Sequence, residues 1–251
     1  MKCYGITDRG ILRKSNQDSY VIAYNEVGDV FAMVCDGIGG GNGGDVASHL
    51  AVRHFSEAFA KNKGFDNAEE VQYFVRKEIT KCNRRIYETG KLTEALRGMG
   101  TTLSGVLICK CGRFVINIGD SRVYAYLKDG TFKQLTTDHT LVQDMIMHGE
   151  LSVDEAENYP KKNVLTNALG VWSSVRSDID LHNEAMSGLL ICSDGLHGYV
   201  EEEKIASIVL DEEIDPCLRV RKLLQAALEA GGYDNVTAIL IDLEGDKTYE
   251  Q

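Results

Sequence analysis

Four aspartates of this chain stand at one kind of junction, where an apolar run meets aspartate and a turn. Phe31-Ala32-Met33-Val34-Cys35 leads into Asp36-Gly37, and Phe114 to Ile118 leads through Gly119 into Asp120-Ser121-Arg122. Leu189-Leu190-Ile191-Cys192 leads through Ser193 into Asp194-Gly195, and Gly231-Gly232-Tyr233 leads into Asp234-Asn235 just before another apolar run. A single Asp-Gly is a common turn dipeptide and calls for no chemistry. Strand ends can nevertheless converge at one edge of a sandwich, and carboxylates gathered there repel strongly without a counter-charge. Hard oxygen donors of this kind suit Mg²⁺, Mn²⁺ or Ca²⁺ rather than zinc.

The glycine-rich stretch 37–44 can bring backbone close to a ligand or metal, because no Cβ intervenes. It lacks the lysine of a G-x-x-x-x-G-K-[ST] phosphate loop, and no acidic residue closing a βαβ unit supports a dinucleotide site. The seven cysteines follow no repeating spacing. Cys35 and Cys192 read as buried reduced thiols, and Cys109-Lys110-Cys111 has no second pair or histidine partner to make a zinc site.

The elements that must position these residues read as strands in runs. Strand patterns cover Ser19 to Tyr24, Asp29 to Cys35, Thr101 to Cys109, Arg113 to Ile118, Arg122 to Leu127, Phe132 to Leu135, Gly188 to Cys192 and Asn235 to Leu243. Helices are predicted from Asp45 to Lys61 and from the cap Asn67 to just before Gly90. A third starts at Asp215-Pro216, with Leu218, Leu224, Ala227 and Leu228 facing inward. Because strict βαβ alternation is lacking, the expected class is α+β, an antiparallel β-sandwich flanked by helices on both sides. Residues 1–251 read as one domain, with no linker or repeat.

A net charge of −11 argues against a nucleic-acid binder, and also makes an anionic substrate look odd unless bound cations invert the local field. The residues Met1 to Arg9 carry early charges and no apolar core of a signal peptide. Apolar runs are far shorter than the ~20 residues of a membrane span. A cytoplasmic protein with no membrane association is the expectation.

Taken in order, the motifs resemble those of the PP2C (PPM) protein phosphatases, in the form of the bacterial branch. They are Thr7-Asp8-Arg9-Gly10 with Arg13 to Ser19, then Asp36-Gly37-Ile38-Gly39-Gly40, Gly100-Thr101-Thr102 and Gly119-Asp120-Ser121-Arg122. Leu135 to Thr140, Leu165 to Gly170, Ser193-Asp194-Gly195-Leu196 and Asp234-Asn235-Val236-Thr237 continue the series. The resemblance implies a four-layer αββα fold that hydrolyses phosphoserine and phosphothreonine in proteins, opposing a bacterial Ser/Thr kinase. It implies two core Mg²⁺ or Mn²⁺ ions, a third and weaker one, and attack by a water bridging the core pair. Asp36 would bridge both metals, the Gly37 carbonyl would complete the second site, and Asp194 and Asp234 would hold the first. Asp18 would orient waters, Asp120 with Asp194 would form the third site, and Arg13 would clamp the phosphate through its two-pronged guanidinium. Segment 141–163 would be a flap beside the site; by sequence alone it could be a plain surface excursion. A monomer is the default.

The chain departs from the family pattern at a few positions. Some members place a histidine, proposed as general acid, two residues after the bridging aspartate, where this chain has Ile38. Gln17 replaces an acidic residue, and Asp45 stands where glutamate is common. His139 is a candidate acid by motif with a structural role as the alternative, and His197 reads as a packing or surface group. Two further readings are a catalytically weak pseudophosphatase that binds phosphoproteins and a dedicated regulator with the same fold. Loss of Asp36, Asp194 or Asp234 would mark the former, and all three are present.

Overall fold

The computed structural model describes residues 1–39, 43–157 and 159–243. Gly40, Gly41 and Asn42 of the glycine-rich stretch, Asn158 of segment 141–163, and residues 244–251 lie outside the described residues.

Two five-stranded antiparallel sheets face each other. The first has the order β1 (Lys2–Asp8), β12 (Val236–Asp242), β11 (Gly188–Cys192), β8 (Arg122–Tyr126), β9 (Phe132–Gln134). The second has the order β10 (Asp178–His182), β7 (Gly112–Ile118), β6 (Leu103–Cys109), β3 (Val30–Cys35), β2 (Ser19–Tyr24). Central strands are buried on both faces, which explains their unbroken apolar runs. In β3, Val30, Ala32 and Val34 meet Val106, Val123, Leu189, Ile191, Ile239 and Ile241 between the sheets. The alternate residues Phe31, Met33 and Cys35 face α1 (Gly43–Phe59) and α2 (Ala68–Leu92), packing on Phe55, Phe59, Val75 and Ile79. On the other side, Tyr124, Leu190 and Leu240 pack with Ile205 and Val209 of α6 (Glu202–Val209) and Val220 and Leu223 of α7 (Pro216–Glu229). Helix, sheet, sheet and helix thus form four layers.

Asn67 caps α2 as predicted, its side chain accepting from Glu70 N–H at 2.9 Å. The helix does not stop before Gly90 but runs through it to Leu92. A Cβ at Gly90 would lie 3.1 Å from the Leu96 carbonyl and 3.4 Å from Met99 Cγ, so this glycine admits a close neighbour rather than ending the helix. The phase of α7 also differs from expectation. Leu218 is 50% exposed, while Arg219 takes the inward position and donates to the Val209 carbonyl at 2.7 Å and Asp242 Oδ2 at 3.0 Å.

The run predicted over Thr101 to Cys109 is broken at Thr102. Gly100–Thr101 (β5) pairs instead with Gly37–Ile38 (β4), a two-stranded ribbon at the sandwich edge. The strands β1 and β10, and the helices α3 (Leu141–Met147), α4 (Val153–Glu157), α5 (Asp194–His197) and α6, had no sequence counterpart. Segment 141–163 leaves and rejoins the body at one point, where Thr140 bridges Leu165 and Leu141 N–H donates to the Val164 carbonyl. No described helix is long and apolar enough to cross a membrane.

Candidate active site

The C-terminal ends of β3, β7 and β11 and the N-terminal end of β12 lie at one edge of the sandwich and bring Asp36, Asp120, Asp194 and Asp234 into each other's field. Asp18, just before β2, joins them. Burial first, then the neighbouring Asp18, Asp194 and Asp120, pushes the Asp36 carboxyl well above the usual carboxylate range. Asp36 lies against Asp194, whose own carboxyl is raised by burial and by Asp234. Asp18 is raised to about 7 and Asp120 to about 8, in each case mainly by burial. Mutual repulsion of carboxyls in a desolvated site accounts for the rest.

Each acid is held by its backbone or its neighbours. Thr102 N–H donates to the Asp36 carbonyl at 2.9 Å, Thr102 Oγ1 accepts from Asp36 N–H, and Thr101 Oγ1 donates to the same carbonyl. Asp18 is buried, and its Oδ2 accepts the Ser193 and Thr237 hydroxyls, both at 2.7 Å. Gly119 has φ of +105°, and a Cβ there would sit 2.6 Å from Thr102 Cγ2, so the turn into Asp120 requires glycine.

Two histidines clamp that turn. His139 N–H donates to the Gly119 carbonyl, and its Nδ1 accepts from Gly119 N–H at 3.2 Å and from Asn167 Nδ2 at 2.9 Å. These donors fix the Nε2–H tautomer, which donates to Asp178 Oδ2 at 2.9 Å. His139 therefore has a structural role, and both ring nitrogens are occupied. His197 is half-buried, with Nε2 donating to the Asp120 carbonyl at 3.0 Å; burial and then Arg122 lower its pKa to about 3. The sequence reading of His197 as a packing or surface group missed this bond. Its place three residues after Asp194 was the available signal.

The loop 9–17 carries Arg13 and hangs on Asn235. Asn235 Oδ1 accepts from Gln17 N–H at 2.8 Å, and Nδ2 donates to the carbonyls of Arg9 and Ser15. Arg13 reaches Asp234, Nη2 to Oδ2 at 2.5 Å, with more than half of its side chain exposed. Asn235 was read only as part of a motif, and a lone asparagine gives no signal that it holds one loop at three points.

Among the described residues, no three His, Cys, Asp or Glu side chains are grouped so that they could hold a metal ion as they stand. One donor is occupied by a contact: Arg13 lies on Asp234. The donor set itself fits a hard divalent cation, being all carboxylate and carbonyl oxygen. Asp18 Oδ1 and Asp194 Oδ1 are buried with no hydrogen-bond partner, and such oxygens are costly unless a proton or cation meets them. All seven cysteines are free thiols, with Cys35 and Cys192 buried.

Comparison with known proteins identifies the family. The family profile described as Protein phosphatase 2C matches residues 13–230. The serine/threonine phosphatase stp of Listeria welshimeri is 37% identical over 242 residues, covering 94% of this chain and 93% of its own length. Protein phosphatase PhpP of Streptococcus pneumoniae is 34% identical, covering 95% of this chain and 96% of its own. The crystal structure of serine/threonine phosphatase Stp1 from Staphylococcus aureus superposes with a TM-score of 0.91 at 29% identity, covering 97% and 95% of the two chains. That of PstP/Ppp from Mycobacterium tuberculosis gives 0.83 at 31% identity, covering 97% and 98%. The chain belongs to the PP2C (PPM) family and is a metal-dependent serine/threonine phosphatase.

Proposed function

We propose that this enzyme removes phosphate from phosphoserine and phosphothreonine in proteins modified by a bacterial Ser/Thr kinase, with Mg²⁺ or Mn²⁺ as cofactor. The observation that carries the reading is the meeting of Asp18, Asp36, Asp120, Asp194 and Asp234 at one edge, with orphaned carboxylate oxygens, beside the exposed Arg13. Asp36, Asp194 and Asp234 would hold the core ions with the Gly37 carbonyl, and Asp120 with Asp194 a third, weaker one. When bound, a pair of such ions lowers the pKa of a water and offsets charge on phosphoryl oxygens.

The chain's own groups do the rest. Arg13 binds two phosphate oxygens through its planar fork, leaving Asp234 to the cofactor. Asp18, fixed by Ser193 and Thr237, keeps Oδ1 unpartnered as an acceptor for water. Thr101 and Thr102 hold Asp36 from behind. Ile38 offers no proton, and both nitrogens of His139 are engaged, so the leaving alkoxide takes its proton from solvent. Residues 1–251 act as one domain and one monomer, with 141–163 as a flap at the rim.

Hydrolysis of p-nitrophenyl phosphate and of a phosphothreonine peptide, each with Mn²⁺, Mg²⁺ or EDTA, tests this. Release of phosphate that EDTA abolishes is the expected result. A folded, metal-loaded protein that releases none from either substrate is a pseudophosphatase.

A further inference from the structure

A cavity of about 490 Å³ lies outside the carboxylate cluster, lined by Tyr87, Gly90, Lys91, Arg97, Gly170 and Val171 among others. Its two cations are unusual company in a chain of net charge −11. Among the described residues neither Lys91 nor Arg97 forms an ion pair. The nearby Glu88 is taken by Arg84 at 2.8 Å, and Lys91 Nζ rests 4.8 Å from the centre of the Tyr87 ring. Both basic side chains are exposed, as is Glu94 one turn before Arg97.

The cavity sits at the catalytic end of the molecule. Helices α1 and α2 run antiparallel, with His54 against Glu78 and Phe59 against Phe74. The start of α1, just after Gly39, therefore lies beside the end of α2, where Tyr87, Gly90 and Lys91 are found. Met99 closes the gap, with its Cβ 3.1 Å from where a Cβ on Gly43 would be. A second path gives the distance. Gly37 pairs with Thr101 and Thr101 with Leu169, and Gly170 of the cavity wall follows directly. Two such rungs span about 10 Å at ~4.8 Å each. An extended peptide covers that in about three residues at ~3.3 Å per residue.

We propose that this cavity is a substrate subsite that receives an acidic side chain about two to four residues from the phosphorylated one. The proposal rests on the active-site reading above and adds a sequence preference to it. Lys91 and Arg97 supply the attraction that the rest of this acidic surface denies to an acidic segment. Tyr87 holds the Lys91 ammonium over its ring, and Gly98 on the cavity wall has open space where a side chain would stand.

The test is a set of fluorescent phosphothreonine peptides carrying one aspartate, moved from four residues before to four after the phosphorylated position. Affinity is read by polarisation and kcat/KM by phosphate release, for the wild type, Lys91→Ala/Arg97→Ala and Arg97→Glu. An aspartate at one or two positions should tighten binding roughly three- to tenfold, the scale of one or two charge contacts at a surface. That gain should vanish in the double variant and reverse in Arg97→Glu, with turnover of p-nitrophenyl phosphate unchanged. A flat scan, or a gain retained by both variants, overturns the subsite. Polarisation reads the cavity without turnover, so failure to hydrolyse p-nitrophenyl phosphate would sink the phosphatase assignment and leave the subsite to be judged on affinity.

Discussion

The guanidinium of Arg13 closes on the carboxylate of Asp234, Nη2 to Oδ2 at 2.5 Å, joining positions 221 residues apart. In the proposed mechanism the two groups take different partners, Arg13 the phosphate and Asp234 the cofactor. Their contact is therefore one that substrate and cation together replace.

Arg13→Ala should lower kcat/KM for a phosphothreonine peptide by about 10- to 100-fold, the range for lost hydrogen bonds between charged groups. The loss should fall mainly on KM. Calorimetric titration of the metal-free variant with Mn²⁺ should show affinity no weaker than wild type, since the competitor for Asp234 is gone. Unchanged KM and kcat would remove Arg13 from the site.

Asp36→Asn keeps the shape of the side chain and removes a charge that burial and three neighbouring acids oppose. Turnover should fall by at least about 10²-fold, the scale of losing one preorganised electrostatic group. The metal-free variant should melt at or above the wild-type temperature at pH 8. Near-normal hydrolysis by the variant would show that another residue carries this role.

Metal-free stability should fall as pH rises from 6.5 to 8. Asp18 and Asp120 have folded pKa values near 7 and 8 against 3.8 unperturbed, so the folded state binds more protons in this window and loses them as pH rises. His197 acts oppositely but only between about 3 and 6.5, where its unfolded form takes a proton that the folded form refuses. Thermal melts in EDTA across the window, repeated with Mn²⁺, read the effect. Cation binding should flatten the slope, because ligation replaces the protons. A metal-free melting temperature that rises between pH 6.5 and 8 would contradict the clustering of these acids.

The turn before Asp120 offers a structural test. Gly119→Ala meets both a φ of +105° and Thr102 Cγ2 at 2.6 Å, and should cost about 1–3 kcal/mol in urea unfolding. His197→Phe removes only the bond to the Asp120 carbonyl and should cost about 0.5–1.5 kcal/mol. Equal stability of the alanine variant and wild type would mean the turn relaxes freely.

What was legible in the sequence follows from burial. β3, β6, β7, β11 and β12 lie between a sheet and a helix layer, so both faces are apolar; the runs of β3, β7 and β11 lead into an aspartate and that of β12 follows one. β10, Asp178–His182, pairs only through β7 and alternates acid with apolar residues, which hides it among loops. α5 is a single turn, too short for any period. The phase of α7 was misread because Arg219, a charged residue, occupies an inward position that hydrophobic patterning gives to leucine. At the site, the acids showed through their repeated setting. Their supports did not, because Ser193, Thr237, His197 and Asn235 act through hydrogen bonds across long stretches of chain.

The pairing of β1 with β12, Lys2 opposite Asp242 and Asp8 opposite Val236, sets a schedule for protein synthesis. A nascent chain carries Arg13, Asp36 and Asp120 early, yet β1 has no partner strand, and Asp234 does not exist, until β12 has left the ribosome. Translation of more than two hundred residues thus separates Arg13 from Asp234. On the proposed assignment, the dephosphorylating edge is therefore incomplete until that last strand is in place.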